Sequence, residues 1–184
     1  MAKLLASLLM VLCLVCACGG GSGGAGAAAE DQELVVELQP LVARSAVGTA
    51  RLDEPDRLRI GSINGTPYRL LLRFSLADLP QGPPLERVRI YVDDFIIGLE
   101  ASALLGDLVV QSLDMGADVD AADGDRTAAA AGPPLEVDGI VGPKTSDVTA
   151  AVQQLIQTGA AFADFRLQFA ADTTDPGRSV FTEV

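Results

Sequence analysis

Apolar and polar residues alternate along several short stretches of the chain from about residue 33 onward. The clearest stretch is residues 68–76, and similar alternation occurs around residues 33–38, 58–60, 87–92 and 165–169. The positions that share one face of the clearest stretch are Tyr68, Leu70, Leu72, Phe74 and Leu76. Because side chains of a strand point alternately to opposite faces, this period of two predicts sheets with one buried face.

Turn-forming residues separate the predicted strands. Asn64-Gly65 is a pair suited to a tight hairpin, and residues 79–84 are rich in proline and glycine. Residues 114–145 carry little apolar pattern, so we expect a long surface loop with a strand around residues 135–137.

A helix is predicted near residues 149–158. Thr149 can cap its start and Gly159 its end. The apolar stripe of this helix would consist of Val148, Val152, Leu155 and Ile156. Many short strands with a single short helix predict an all-β fold, a jelly-roll-like β-sandwich with the helix packed over one end.

The first residues have a different character. Lys3 precedes an apolar stretch, residues 4–15, which is shorter than the ~20 residues that a membrane span needs. Val15 lies three positions before Cys18, and Ala17 directly before it, so the segment resembles a bacterial lipoprotein signal. This resemblance implies cleavage after Ala17 and a lipid on Cys18. An ordinary secretory signal with an incidental cysteine is the alternative.

The predicted organisation therefore has three parts: a signal peptide at 1–17, a tether at 18–31 and a domain at 32–184. Residues 19–30 of the tether are rich in glycine and alanine, so we expect them to form a flexible coil that reaches on the order of 20 Å. Gly19 stands where an aspartate would favour retention at the inner membrane of a Gram-negative cell. The expected location is thus the cell envelope, at the outer membrane rather than the inner.

Composition narrows the possible functions. The 184 residues suffice for one domain, and the formal net charge of −12 argues against nucleic acid as a partner. The chain has no histidine, which removes Ser-His and Cys-His nucleophiles and histidine metal sites. All three cysteines lie at or before Cys18. Asp93 and Asp94 are neighbours, whose side chains point to opposite faces of a strand. We predict no enzyme, no cofactor and no metal.

An acidic stretch offers the closest approach to a metal site. It contains Asp114, Asp118, Asp120, Asp123 and Asp125. An EF-hand loop needs glycine at position six and glutamate at position twelve; here the glycine comes one residue late and the glutamate is missing. A looser calcium site and a solvated acidic loop both remain open, and the second is preferred.

Arginines occupy the outward positions of the predicted strands. They are Arg57, Arg59, Arg69, Arg73, Arg87, Arg89 and Arg166. Arginines on adjacent strands would form a basic ladder able to bind carboxylates or sulfates of an acidic glycan. The candidate ligand-binding residues are Arg69, Arg73, Arg87, Arg89 and Tyr91. The alternative, which we prefer, is that these arginines pair with the chain's own carboxylates.

The order of these motifs resembles the DNRLRE domain, a disaggregatase-related family that overlaps carbohydrate-binding modules. The resemblance rests on RLRIGSINGTPYRLLLRFSLADLP, LERVRIYV, SDVTAAVQQLIQTG and FADFRLQFAAD. It implies an extracellular jelly-roll module, and some members of the family bind polysaccharide.

Two functions follow as hypotheses. The first, which leads because of the resemblance, is a lipid-anchored, non-catalytic module that binds an extracellular polysaccharide. The second is a structural or assembly lipoprotein that contacts another envelope protein. Aromatic residues make up only 4% of the chain, which favours the second, because neutral sugars are usually held by stacking on aromatic rings.

Overall fold

A computed structural model describes residues 10–16, 38–55, 58–77, 79, 85–92, 103–137, 144–172, 175 and 177–183. The strands are β1 (Met10–Cys16), β2 (Val42–Val47), β3 (Arg51–Leu52), β4 (Arg59–Ile63), β5 (Thr66–Ser75), β6 (Leu85–Val92), β7 (Leu108–Leu113), β8 (Ala130–Pro134), β9 (Glu136–Val137), β10 (Lys144–Asp147), β11 (Phe162–Phe169) and β12 (Ser179–Glu183). The helix α1 spans Thr149–Gln157.

The strands form two antiparallel sheets, which confirms the predicted all-β sandwich. In the described residues, eight strands make the larger sheet, in the order β12-β4-β5-β11-β7-β8, with β2 and β3 attached through β5. The smaller sheet has the order β1-β6-β10-β9. Strand β5 is the central element of the larger sheet because it pairs with β2, β4 and β11.

The main core lies between the two sheets. Its buried side chains include Leu70, Leu72, Phe74, Val88, Ile90, Phe165 and Leu167. These residues alternate along β5, β6 and β11, so the predicted inward faces of those strands are confirmed. A second, smaller cluster lies on the opposite face of the larger sheet and consists of Ala46, Leu71, Leu113 and Met115. Strand β5 is thus buried on both faces, which the alternation did not predict.

The hairpin between β4 and β5 confirms the turn predicted at Asn64-Gly65. Both residues have positive φ, at 50° and 75°, and Ile63 pairs directly with Thr66. Two consecutive positive φ angles are typical of a type I′ turn, which matches the twist of antiparallel strands.

Helix α1 lies where it was predicted, but two details were wrong. Val148 rather than Thr149 is the N-cap, and the Thr149 hydroxyl accepts a hydrogen bond from the Val88 N–H. Ile156, expected in the buried stripe, is 43% exposed, whereas Val152 is fully buried. The helix is short and lies over one end of the sandwich, so only part of the predicted stripe meets the core.

The apolar segment predicted as a signal contributes a strand to the structure. Strand β1 pairs antiparallel with β6 from Met10, opposite Val92, to Cys16, opposite Leu85. It lies at the edge of the smaller sheet, and β6 separates it from β10. The structure therefore holds this segment as one outer strand. Among the described residues, no helix has the length and apolar character needed to cross a membrane.

Candidate functional site

The five candidate binding residues lie on two different strands in two different sheets. Arg69 and Arg73 belong to β5 of the larger sheet, whereas Arg87, Arg89 and Tyr91 belong to β6 of the smaller sheet. The two sheets face each other across the core, so their outer faces point in opposite directions. The single basic ladder that the sequence suggested is therefore not formed by these residues.

Arg73 is buried and fully engaged. Its Nε and Nη2 donate to the two carboxylate oxygens of Asp164 at 2.7 and 2.8 Å. Its Nη1 and Nη2 also donate to the carbonyls of Ala117 and Gly116 at 2.9 and 2.8 Å. Hydrogen bonding to Asp164 raises the pKa of Arg73 above its ordinary value, against the effect of burial. A bidentate pair of this kind is among the strong arginine–carboxylate interactions.

The ring of Phe162 covers another side of the same group. The Arg73 guanidinium lies 4.7 Å from the centre of that ring, a distance at which a cation is attracted to the aromatic face. An external ligand could therefore reach this guanidinium only if residues 116–117, whose carbonyls it binds, moved away.

Arg69 is also buried, and it bridges two carboxylates. Its Nη1 is 2.5 Å from Asp125 and its Nη2 is 2.6 Å from Asp172. Both carboxylates are partly exposed. The preferred alternative, in which the arginines pair with the chain's own acidic residues, is confirmed for Arg69 and Arg73.

Arg166 lies on β11, which pairs with β5, and it fastens the acidic loop to the sheet. Its Nη1 donates to the carbonyls of Gly124 and Arg126 at 2.7 and 2.8 Å, and its Nε donates to Gln111 at 2.9 Å. Burial is the largest cause of a lowered pKa for Arg166, and the positive charge of Arg69 adds to it.

The acidic loop, residues 114–126, is more ordered than the sequence indicated. Its aspartates bind the loop's own backbone: Asp114 accepts from the Gly116 N–H, and Asp120 accepts from the Ala122 N–H. Asp123 is fully buried and accepts from the Asp120 N–H, which completes a capping box for the 3-10 helix at Ala121–Gly124. The interpretation of this segment as a solvated loop was therefore wrong for Asp123.

The loop also explains why the outer face of β5 is buried. Arg73 and Arg166 both donate to backbone carbonyls of residues 116–126. Met115, at the start of the loop, packs in the smaller apolar cluster. No group of three or more acidic or cysteine residues placed to hold a metal ion occurs in the part of the chain that the structure describes.

The outer face of β6 is the more open of the two. Arg87 is exposed, and Arg89 and Tyr91 are half-buried. Asp147 of β10 lies directly opposite Arg89. Hydrogen bonding from Thr149 is the main cause of a lowered pKa for Asp147, and the charges of Arg89 and Arg87 contribute. On this face, too, a carboxylate of the chain itself lies opposite an arginine.

Several residues singled out in the sequence lie outside the described residues. They are Cys18 and the tether, Arg57, and the pair Asp93-Asp94. Sequence reasoning missed Asp164 as the partner of Arg73. A signal for it existed, because Asp164 and Arg166 occupy the same outward face of DFRLQF, but the choice of partner needed the pairing of Asp164 with Arg73 across β11 and β5.

Comparison with known proteins adds no relative. No family model matches the chain, and no curated protein matches it. The resemblance to the DNRLRE domain stays a prediction that rests on the motifs quoted above.

Proposed function

We propose that this chain is a lipid-anchored protein of the cell envelope whose non-catalytic β-sandwich acts through contacts with other envelope proteins. One observation favours a protein partner over a glycan: the arginines of β5 already form ion pairs with Asp164, Asp125 and Asp172. A surface that has already neutralised its arginines has little left to attract an acidic polysaccharide.

The anchor part of the proposal rests on Cys18 and its surroundings. Val15 and Ala17 occupy the positions that a lipoprotein signal requires, and a glycine-rich tether follows. Lipid on Cys18 would hold the sandwich close to the bilayer, at the outer membrane in a Gram-negative cell.

Two exposed apolar side chains near the end of β5 support protein contacts. Leu41 is 59% exposed and Phe162 is 38% exposed. Both lie beside Arg73: the Leu41 N–H donates to the Arg73 carbonyl at 2.7 Å, and Phe162 packs on its guanidinium. We call Leu41 and Phe162 the apolar end. Exposed apolar side chains of this kind are ones that a protein partner can bury.

Polysaccharide binding is the second candidate, and the outer face of β6 favours it. Arg87, Arg89 and Tyr91 share that face, with Arg87 exposed. Two guanidinium groups and a tyrosine ring can contact an acidic sugar. Asp147 opposes Arg89, so the expected affinity is low.

One set of variants separates these functions. The full-length protein is first cross-linked to its neighbours in the cell and then extracted from membranes in detergent. In parallel, a sample that has not been cross-linked is applied to a glycan array. The double variant Leu41→Glu, Phe162→Glu should lose the cross-link to a defined partner protein. Leu104→Glu is the matched control, because Leu104 is 43% exposed but precedes β7, near the opposite end of β11.

A glycan bound by the wild type and lost in Arg87→Ser with Arg89→Ser would instead establish the second candidate. The anchor is tested separately. Cys18→Ala should prevent incorporation of labelled fatty acid, and normal labelling of that variant would contradict the lipid assignment.

A further inference from the structure

The edge of β6 depends on a segment that lipoprotein processing would remove. Strand β10 lies on one side of β6, where Val88 receives a hydrogen bond from the Val148 N–H and donates one to the Thr149 hydroxyl. Because backbone groups of consecutive strand residues point to opposite sides, the N–H and C=O groups of Arg87, Arg89 and Tyr91 face β1. Their partners in the structure are Val15, Cys13 and Val11.

Cleavage after Ala17, as in the proposed function, takes β1 away. The edge of β6 would then present a row of unpaired backbone groups beside a buried apolar face, where Val88 and Ile90 are fully buried. Unpaired buried polar groups and open strand edges are both costly, and folded proteins fill or cover them. A replacement strand would pair these groups and cover the apolar side chains beside them.

Leu38 shows which part of the chain is in reach. It is buried in the main core, and three residues later the Leu41 N–H bonds to Arg73 near the end of β5. Helix α1 lies at this same end: Gln153 donates to the Leu85 carbonyl at the start of β6. The residue after β5, Leu76, donates to the Ala161 carbonyl just beyond the helix. Leu38 thus lies at the end of the sandwich where β6 begins.

This position fixes the direction available to the residues before Leu38. They can arrive along β6 from its Val92 end and finish at its Leu85 end. Strand β1 runs the same way, from Met10 opposite Val92 to Cys16 opposite Leu85. At about 3.3 Å per residue, six residues cover roughly 20 Å, which is most of the length of β6.

The sequence of this segment fits the edge better than β1 does. If Leu38 moved from its place in the core to that of Cys16 after cleavage, Val36 would come opposite Val88 and Leu34 opposite Ile90, with the apolar positions of the segment on the core side. Glu37 would then come opposite Arg87 on the outer side. Directly opposed opposite charges stabilise a strand pair, whereas β1 places the uncharged Val15 there.

Glu33 strengthens the match. In the same register it falls opposite Tyr91 and diagonal to Arg89, within reach of a long side chain. In this register both glutamates of the segment would thus come next to the two arginines of β6. We propose that residues 33–38 occupy, in the processed protein, the edge of β6 that Met10–Cys16 occupies in the structure. This inference rests on the signal removal in the proposed function.

A disulfide experiment tests the exchange on the processed protein isolated with its lipid. Removal of residues 1–17 takes away Cys13 and Cys16, and lipid blocks Cys18, so introduced thiols are the only free ones. Val35→Cys and Arg89→Cys would lie directly opposite, about 5.5 Å apart between Cα atoms, a distance that a disulfide spans. Oxidation should close this pair within one chain. Val36→Cys with Arg89→Cys is the control, because those side chains face opposite sides of the sheet, and it should stay reduced.

The unprocessed protein provides the reciprocal result. In a chain that carries Cys18→Ala and Arg89→Cys, native Cys13 lies opposite position 89, so it should form the disulfide instead. A bond between two chains of the processed protein would overturn the proposal in favour of a second copy at the edge. Free thiols in the processed Val35→Cys, Arg89→Cys protein would overturn it altogether.

Amide exchange supplies a readout without substitutions. If residues 33–38 fill the edge, the amides of Arg87, Arg89 and Tyr91 exchange slowly in the processed wild type; fast exchange at all three contradicts the proposal. Retention of residues 1–17, read by mass, would contradict the proposed lipidation alone. The same thiol pair, in a chain that also carries Cys18→Ala, then decides the strand exchange after these residues are cut off at an inserted protease site.

Discussion

Strands β5 and β6 each carry two outward-facing arginines, but the surroundings of these arginines differ. On β5, Arg69 and Arg73 are buried and bonded to aspartates from other parts of the chain. On β6, Arg87 remains exposed, and Arg89 is half-buried opposite Asp147. The difference comes from residues 114–126, which cover the first face.

Which side chains of a strand leave the core and which of them stay exposed are two separate properties. Alternation determines which side chains leave the core, because the period of a strand is two. It does not determine whether a later segment returns to cover them. The arginines of β5 therefore join the sheet to other parts of the chain, whereas on β6 Arg87 remains exposed.

The largest expected effect comes from breaking the buried pair on β5. Arg73→Met leaves Asp164 charged and without its partner, and such losses cost about 3–5 kcal/mol of the free energy of unfolding. The matched variant on β6, Arg87→Met, should change it by less than about 0.5 kcal/mol, because Arg87 is exposed. Urea unfolding of both proteins measures the contrast, and equal effects would mean that the two faces do not differ as described.

A smaller loss is expected when the loop is detached from the sheet. Arg166→Met removes the donor to the Gly124 and Arg126 carbonyls, and hydrogen bonds to charged groups contribute about 1.5–3 kcal/mol. The loop should also become sensitive to proteases. Gln168→Met, two positions along the same strand, is the control and should leave the loop resistant. A loop that resists cleavage in Arg166→Met would show that Arg166 does not hold it.

The sequence predicted the parts of this architecture that local patterns control. Burial of Leu70 and Val88 followed from alternation, and the tight hairpin followed from Asn64-Gly65. The covered face of β5 did not follow, because it depends on contacts such as Arg73 with Ala117, 44 positions apart. Ile156 was misplaced for a similar reason: its helical stripe is correct, but the helix reaches past the core.

The candidate site was predictable in residue type and not in accessibility. All five candidate residues point away from the main core, as the pattern indicated: Arg69, Arg73, Arg87, Arg89 and Tyr91. Only the pairing of β11 with β5 places Asp164 against Arg73, and a single sequence does not state which strands become neighbours.

The third prediction concerns salt. Arg69 binds Asp125 and Asp172, whose side chains are 47% and 41% exposed. Arg69→Met should therefore cost only about 1 kcal/mol at low ionic strength, less than Arg73→Met, and the cost should shrink as salt screens the partly exposed pairs. Thermal unfolding at two sodium chloride concentrations measures it. A cost that does not change with salt would place these pairs with the buried one.

The smallest effect is expected at Asp147, beside the open face of β6. Hydrogen bonding from Thr149, with help from Arg89 and Arg87, lowers the pKa of this carboxyl in the folded protein. Its contribution to stability is then present above the unfolded pKa of about 3.9 and is lost as the pH falls through the lower folded pKa. Asp147→Asn should thus be less stable than the wild type at pH 7 by a few tenths of a kcal/mol, given the exposure of the group.

The pH course distinguishes this cause from a general loss of packing. The difference between wild type and Asp147→Asn should narrow on acidification below about pH 4, because the wild-type carboxyl then becomes protonated and uncharged. Arg89→Met should weaken the same pH dependence only in part, since Thr149 still donates to Asp147. Unfolding free energies between pH 7 and pH 2 that run parallel for wild type and Asp147→Asn would contradict the assignment. Such parallel curves would mean that the charges of Arg89 and Arg87 do not act on Asp147 as described.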